Sequence, residues 1–324
     1  MDPRSAAERL RLPAEHAAWV RGLDGRAPDA VPSLPPLARV PALLDRLAVA
    51  ADDAAEIIEG WPSGRWPEEL RWLLGQVVAG VRMDLGGAGW LVPGFSLPRD
   101  RGPAWKHFYV YAYLALLDDV LAYHAGRGIP EPVSWDTLAD LGRNLAIDRR
   151  MNGEGWPVML QWLTLHVRGG LYELGRLQFQ RRRPGGDPTT RPGGDPTTLS
   201  LHVPRSGALT PSACDASFER AREFFPRHFP DEPYRVVTCG SWLLDPALAE
   251  YLPAGSNIIR FQRRFELLPD GVDGDEDFRR FVFGTLTTPL EELPARTGLQ
   301  RAGIAHLKSG GHWQIRTGRI VLGT

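Results

Sequence analysis

Side chains that bind metals or attack substrates are sparse in this chain, and most lack the spacing that such chemistry needs. Cys214 and Cys239 have no paired spacing, which excludes a disulfide scaffold and a zinc ribbon. His107, His124 and His166 are scattered, and none has a His or Glu partner in a metalloprotease pattern. We therefore expect no metal site, and we expect these histidines to be structural.

The most informative polar segment joins a short apolar stretch to a helix. Residues 199–203 (LSLHV) form an expected strand, and Arg205-Ser206-Gly207-Ala208 follows as a tight turn. Thr210 is an expected helix N-cap, and Pro211 suits the first helical position. The sequence therefore predicts a strand, a turn and a helix in direct succession.

The elements before this segment are helical. Apolar residues recur at three- and four-residue spacing over residues 36–59 and 68–83, which predicts amphipathic helices. Residues 104–124, 135–149 and 157–167 are further helix candidates, separated by breaks that contain Gly and Pro. We expect residues 1–168 to form an all-α domain.

The pattern changes to strands after Gly169-Gly170. Strands are predicted over residues 171–180, 199–203, 234–239, 258–268 and 312–322, with helices over residues 212–225, 245–252 and 277–283. An exact repeat of RPGGDPTT, at residues 183–190 and 191–198, is an expected exposed loop. The overall class is α+β: a helical domain, then a mixed β-sheet domain flanked by helices over residues 169–324.

The balance of charges and the apolar segments limit the kinds of partner that the protein can bind. The 324 residues carry 38 Lys and Arg against 39 Asp and Glu, so the net charge of −1 offers no basis for binding nucleic acid by phosphate neutralisation. The N-terminus has no apolar signal region, and the most apolar run is interrupted by Asp118-Asp119. We expect a cytoplasmic protein that binds neither nucleic acid nor membrane.

Two long stretches carry a family resemblance. LSLHVPRSGALTPSACDASFERAREFF and CGSWLLDPALAEYLPAGSNIIRFQRRFEL resemble the bacterial two-domain acyltransferase family, which has a helical N-acyltransferase N-terminal domain and a GNAT-like C-terminal domain. The resemblance extends over most of the chain and is strongest over residues 171–268. It implies an enzyme that moves an acyl group from acyl-coenzyme A (acyl-CoA) to the amine of a small-molecule acceptor by direct attack.

The resemblance also implies where acyl-CoA binds. In this family the thioester lies where two neighbouring parallel strands separate, and the turn after the first of these strands cradles the pyrophosphate. The matching cofactor residues are Val203, Arg205, Ser206, Gly207 and Ala208, because N–H groups at a helix start attract phosphate. The turn is shorter than the common GNAT signature and has one glycine, which favours an alternative: a non-catalytic GNAT-like module that binds a ligand or a partner.

The same resemblance assigns candidate catalytic residues. His202 on the expected strand is the candidate base, since an imidazole exchanges protons near neutral pH, and the Val203 N–H is a candidate oxyanion donor. Tyr251 lies in DPALAEY, a near match to the family's Asn-x-x-Ala…Tyr pattern, and is the candidate acid that protonates the departing thiolate. Ser241 is an alternative donor.

Cys239 supports a different mechanism. With His202 as base and Asp245 as orienting carboxylate, it would act as a nucleophile that forms a covalent acyl intermediate. No helix N-terminus directly follows Cys239 to lower the pKa of its thiol, which favours direct attack. Acyl chain length, acceptor identity and oligomeric state do not follow from the sequence.

Overall fold

The computed structural model describes residues 3–12, 32–62, 66–88, 97–153, 160–182 and 198–322. The chain divides into two compact units, Met1–Tyr172 and Glu173–Thr324. Most of the RPGGDPTT repeat and the start of the predicted helix over residues 157–167 lie outside the described residues.

The described part of the first unit is helical. Its α-helices α1–α10 are Pro3–Leu10, Val40–Arg46, Ala51–Glu59, Glu68–Met83, Pro103–Lys106, Phe108–Ala115, Leu117–Gly126, Glu131–Leu138, Asp140–Asn152 and Leu160–Val167. Short 3₁₀ turns occupy Leu37–Arg39 and Arg99–Arg101. Helix α4, Glu68–Met83, has the predicted bounds and buries its apolar stripe.

Helix α6, Phe108–Ala115, is buried along its whole length. Two of its three tyrosines find acceptors inside the core: Tyr111 donates to the carbonyl of Ile57 at 2.9 Å, and Tyr113 donates to the carbonyl of Leu138 at 2.9 Å. Both of these buried hydroxyls are thus satisfied. The aromatic residues of this helix form the core of the first unit.

The long helices predicted over residues 36–59, 104–124 and 135–149 are each broken into shorter ones. The first breaks at Ala48, whose φ of 57° is incompatible with a continuing helix. The break places the carbonyl of Leu47 3.1 Å from the N–H of Gly142, one of the free N–H groups at the start of α9. A Cβ at Gly142 would lie 2.0 Å from the Ala48 carbonyl oxygen, so only glycine allows this approach.

A six-stranded sheet forms the centre of the second unit, and its first strand begins two residues before the unit boundary. Its strands are β1 (Leu171–Glu173), β2 (Gln178–Arg182), β3 (Thr198–His202), β4 (Val236–Ser241), β5 (Glu266–Asp273) and β6 (Gln314–Val321), in the order β1-β2-β3-β4-β6-β5. Strands β3 and β4 are parallel, and the pairs β2–β3, β4–β6 and β5–β6 are antiparallel. The sheet is therefore mixed, as predicted.

Helices occupy the connections between these strands. They are α11 (Pro211–His228), α12 (Leu248–Tyr251), α13 (Asn257–Gln262), α14 (Asp275–Phe278) and α15 (Gly298–Lys308), with a π-helical turn at Arg279–Phe283 and 3₁₀ turns at Trp242–Leu244 and Leu290–Glu292. The N-cap at Thr210 is confirmed, since its hydroxyl accepts from the N–H of Ala213 at 3.3 Å. Helix α11 continues through Pro226, beyond its predicted end.

Several predictions for this unit are wrong. Residues 171–180 form two strands rather than one, because the chain turns at Gly175, whose φ is +87°. Residues 258–268 begin as helix α13, which Ser256 caps through the N–H of Ile259. Their apolar residues also fit helical spacing, and the strand begins only at Glu266. Helix α15 was not predicted at all.

No helix in the described part of the chain combines the length and the apolar composition needed to cross a bilayer.

Candidate active site

The parallel ladder between β3 and β4 is short. Three pairs join the strands, from Thr198 with Val236 to Ser200 with Thr238. Beyond these pairs, β3 continues to His202 on its other neighbour, β2, while β4 continues to Ser241 on β6. Each strand thus continues on its outer partner alone, and no ladder pair joins Leu201-His202 to the end of β4 in the described residues; we call this open part of the ladder the gap. Backbone groups that face such a gap are available to an extended ligand.

His202 is the half-buried last residue of β3, where the strand borders this gap. Its Nε2 lies 3.0 Å from Oε1 of Gln180, a buried side chain on β2. An amide oxygen only accepts, so this contact favours the neutral tautomer in which Nε2 carries the proton. Gln180 is therefore a partner that orients the ring of the candidate base.

The turn after β3 presents its backbone outward. Gly207 has a φ of +79°, and a Cβ built on it would meet no atom within 4 Å. In the described part of the chain, the N–H groups of Ser206, Gly207 and Ala208 have no protein acceptor. The Arg205 guanidinium donates to the carbonyl of Phe281 at 2.8 Å, within the π-helical turn. The turn therefore offers several N–H donors beside the start of α11, where the helix dipole favours an anion.

The two candidate acids occupy different surroundings. Ser241 ends β4 at the gap, and its Oγ accepts from the N–H of Leu243 at 3.1 Å, which leaves its own proton for donation. The Tyr251 hydroxyl lies 3.4 Å from Nδ1 of His306, and the Tyr251 ring packs against His306 and Trp313. Among the described residues, no hydrogen bond or ring contact joins Tyr251 to His202 or Ser241.

Cys239 lies within β4 and is fully buried. Burial raises the pKa of its thiol to about 12, so the thiol stays protonated near neutral pH. Asp245 accepts from the N–H groups of Ala247 and Gln314 at 2.9 and 2.7 Å, so its carboxylate supports the backbone. The described contacts do not assemble the Cys-His-Asp arrangement that a covalent mechanism needs.

We expect the Cys239→Ala enzyme to keep kcat within about twofold of the unmodified protein, because a buried, protonated thiol has no part in direct attack. Steady-state kinetics with an acyl-CoA donor measure this. A Cys214→Ala variant, which alters the other buried cysteine, is the matched control. Loss of turnover in Cys239→Ala alone, with the fold retained by circular dichroism, would support the covalent mechanism.

Sequence reasoning overlooked Gln180 as the partner of His202. The two residues lie on adjacent antiparallel strands, with Gln178 opposite His202 and Gln180 opposite Ser200. The connection between these strands includes residues 183–197, whose length hides the strand register from sequence inspection. The available signal was the alternation of Gln178, Phe179 and Gln180, which places the two glutamines on one face of the strand.

Among the described residues, no group of three or more His, Cys, Asp or Glu side chains is arranged to hold a metal ion.

Comparison with known proteins identifies both units. The model of the N-acyltransferase N-terminal domain matches residues 38–169, and the model of the GNAT-like C-terminal domain matches residues 171–320. Comparison with curated protein sequences gave no match.

Solved acyltransferase structures match over the full length of both chains. A complex with CoA and 10C-teicoplanin is 41% identical with a TM-score of 0.92, and a complex with decanoyl-CoA and teicoplanin is 41% identical with a TM-score of 0.91. A tryptophan-to-alanine acyltransferase mutant in complex with octanoyl-CoA is also 41% identical, with a TM-score of 0.92.

The helical unit, the mixed sheet with separating parallel strands and these matches together define a two-domain acyltransferase. The chain belongs to the family with an N-acyltransferase N-terminal domain and a GNAT-like C-terminal domain. It is therefore an N-acyltransferase enzyme, and the alternative of a non-catalytic binding module is not supported.

Proposed function

We propose that the protein transfers an acyl group from acyl-CoA to an amine of a small-molecule acceptor, by direct attack in the gap between β3 and β4. The observation that carries this proposal is the short parallel ladder, which ends at Ser200 and Thr238 while both strands continue. The pantetheine arm enters the gap along the β3 backbone. The pyrophosphate binds the N–H groups of the turn over residues 205–208.

The reaction needs a base, an oxyanion donor and an acid. The acceptor nitrogen attacks the thioester carbon, and His202 takes up the proton that the nitrogen loses. The Val203 N–H, next to the last pair of β3, stabilises the oxyanion. The carbon–sulfur bond then breaks, and the thiolate takes a proton from Tyr251 or Ser241. The products are an amide and free CoA.

The relatives suggest both substrates. Acyltransferases at 41% identity bind octanoyl-CoA and, in another complex, decanoyl-CoA with teicoplanin. We propose medium-chain acyl-CoA as donor and a glycopeptide of the teicoplanin type as acceptor. Acyl-CoA is a cytoplasmic metabolite, so the cytoplasm is the proposed location, and we propose no nucleic acid partner.

Octanoyl-CoA, decanoyl-CoA and acetyl-CoA are incubated with the full chain and a glycopeptide that carries a free amine. Release of CoA thiol and a mass gain equal to the acyl group support the proposal. Thermal shifts with each donor alone report binding independently of the acceptor, since a ligand that binds only the folded state stabilises it. Absence of both stabilisation and thiol release with every donor would contradict the proposal.

The acid is assigned by comparing Ser241→Ala with Tyr251→Phe. Ser241 ends the strand that borders the gap, whereas the Tyr251 hydroxyl contacts His306. If Tyr251 reaches the thiolate in the donor complex, Tyr251→Phe lowers kcat by about 10²-fold or more while Ser241→Ala changes it little. Single-turnover CoA release measures this step. The opposite ranking assigns the acid to Ser241.

A further inference from the structure

Arg176 contacts both ends of the turn that follows β3. It lies between β1 and β2, where its Nη1 donates to the carbonyl of Pro204 at 2.8 Å and its Nε donates to the carbonyl of Ala208 at 3.2 Å. One planar guanidinium therefore bridges the first and last parts of the segment over residues 204–208. Two N–H donors in one rigid, planar group fix the distance between the two carbonyls, whereas the compact ammonium group of a lysine would not.

The position of Arg176 is set by the fold around it. Its backbone N–H donates to Oγ of Ser217 at 2.8 Å, and Ser217 is fully buried on α11. The Ser217 hydroxyl in turn donates to the carbonyl of Ala213 at 3.0 Å. The preceding Gly175 has a φ of +87°, which only glycine adopts readily. Arg176 is thus held between a tight turn and the first half of α11.

The two hydrogen bonds orient the peptide groups at both ends of the turn. In a trans peptide the carbonyl and the next N–H point in opposite directions. With the carbonyls of Pro204 and Ala208 directed at Arg176, the N–H groups of Arg205 and Leu209 point away from it. The N–H groups of Ser206, Gly207 and Ala208 between them have no protein acceptor among the described residues.

We propose that Arg176 is a positioning residue: its bridge between the carbonyls of Pro204 and Ala208 holds the turn in the conformation that binds the pyrophosphate of the acyl donor. This inference rests on the proposed use of acyl-CoA. In this proposal Arg176 acts on the turn and not on the thioester, so it controls affinity for the nucleotide end of the donor and leaves the chemical step unchanged. Its bridge compensates for a turn that is shorter than the common GNAT signature.

The test compares two donors with the same acyl group. Octanoyl-CoA contains the pyrophosphate, whereas octanoyl-pantetheine lacks it and keeps the thioester and the pantetheine arm. In Arg176→Ala, KM for octanoyl-CoA rises about tenfold or more, because two hydrogen bonds from a charged group are lost, while kcat stays within about twofold. With octanoyl-pantetheine, kcat/KM changes by less than about twofold.

Two further variants complete the experiment. Arg220→Ala removes an exposed arginine on α11 near Gly175, and we expect it to change neither donor's kinetics. Arg176→Lys keeps the charge but not the planar fork, so KM for octanoyl-CoA falls between the values for the unmodified protein and Arg176→Ala. If Arg176→Ala does not fold by circular dichroism, Arg176→Lys takes its place in the two-donor comparison.

The outcomes separate this inference from the proposed function. If the unmodified protein uses neither donor, the proposed function fails, whatever Arg176 does. The positioning role is overturned if the unmodified protein uses both donors and Arg176→Ala lowers kcat/KM for both by the same factor. It is also overturned if Arg176→Ala lowers kcat/KM for neither donor. A loss confined to octanoyl-CoA supports it.

Discussion

We expect the His202→Ala enzyme to have a kcat about 10²–10⁴-fold below that of the unmodified protein, the range that loss of a general base produces. His202 ends β3 at the gap, where its Nε2 lies 3.0 Å from Oε1 of Gln180. Without a base, the acceptor amine remains protonated or loses its proton too slowly after attack. Steady-state kinetics with saturating octanoyl-CoA and varied acceptor measure the effect.

The control for this prediction is His312→Ala. His312 is an exposed histidine next to β6 that pairs with Asp275, so its removal tests whether loss of any histidine lowers turnover. We expect kcat within about twofold of the unmodified protein. Gln180→Leu removes the partner of Nε2 and should lower kcat less than His202→Ala does. Near-normal turnover in His202→Ala would show that His202 takes no part in the chemical step.

We expect the replacement of Arg181 with methionine to destabilise the sheet unit by about 3–5 kcal/mol, the usual cost of breaking a buried ion pair. Arg181 is fully buried on β2, where its Nε donates to Glu232 at 3.0 Å and its Nη2 pairs with the same carboxylate. Its guanidinium carbon lies 4.0 Å from the ring centroid of Phe229. The variant leaves Glu232 buried without its cation. Urea denaturation of the full chain measures the loss.

A double variant distinguishes loss of the ion pair from loss of side-chain packing as the cause of the destabilisation. Arg181→Met combined with Glu232→Leu removes both charges, and we expect it to recover much of the stability because no buried charge remains unpaired. The exposed pair of Arg319 with Glu266 supplies the comparison, since Arg319→Met should cost at most about 1 kcal/mol. Equal losses in the free energy of unfolding for Arg181→Met and Arg319→Met would contradict this account.

Local sequence signals predicted many elements correctly. Helix α4 follows a clear apolar stripe, and the start of α11 follows from Thr210 and Pro211. Such signals depend on a few neighbouring residues, so each segment of the sequence contains the signal for its own element. The α+β class and the family followed in the same way from the order of elements and from two long motifs.

Local signals failed where two conformations fit the same residues. The segment over residues 258–268 has apolar side chains at a spacing that suits either a strand or a helix, and contacts with the rest of the sheet unit favour α13. The break at Ala48 depends on close approach to Gly142, which lies more than 90 residues away in the sequence.

For the proposed active site, the sequence by itself put forward His202, Ser241 and the glycine of the turn as candidates, and it determined the family of the chain. Only the tertiary structure decided that β3 and β4 separate after three pairs, that Gln180 orients His202, that Cys239 is buried and that Arg176 bridges the turn. Each of these facts depends on strand register and on contacts between segments distant in the chain. Register is set by which side chains pack together in the core, and no single segment contains that information.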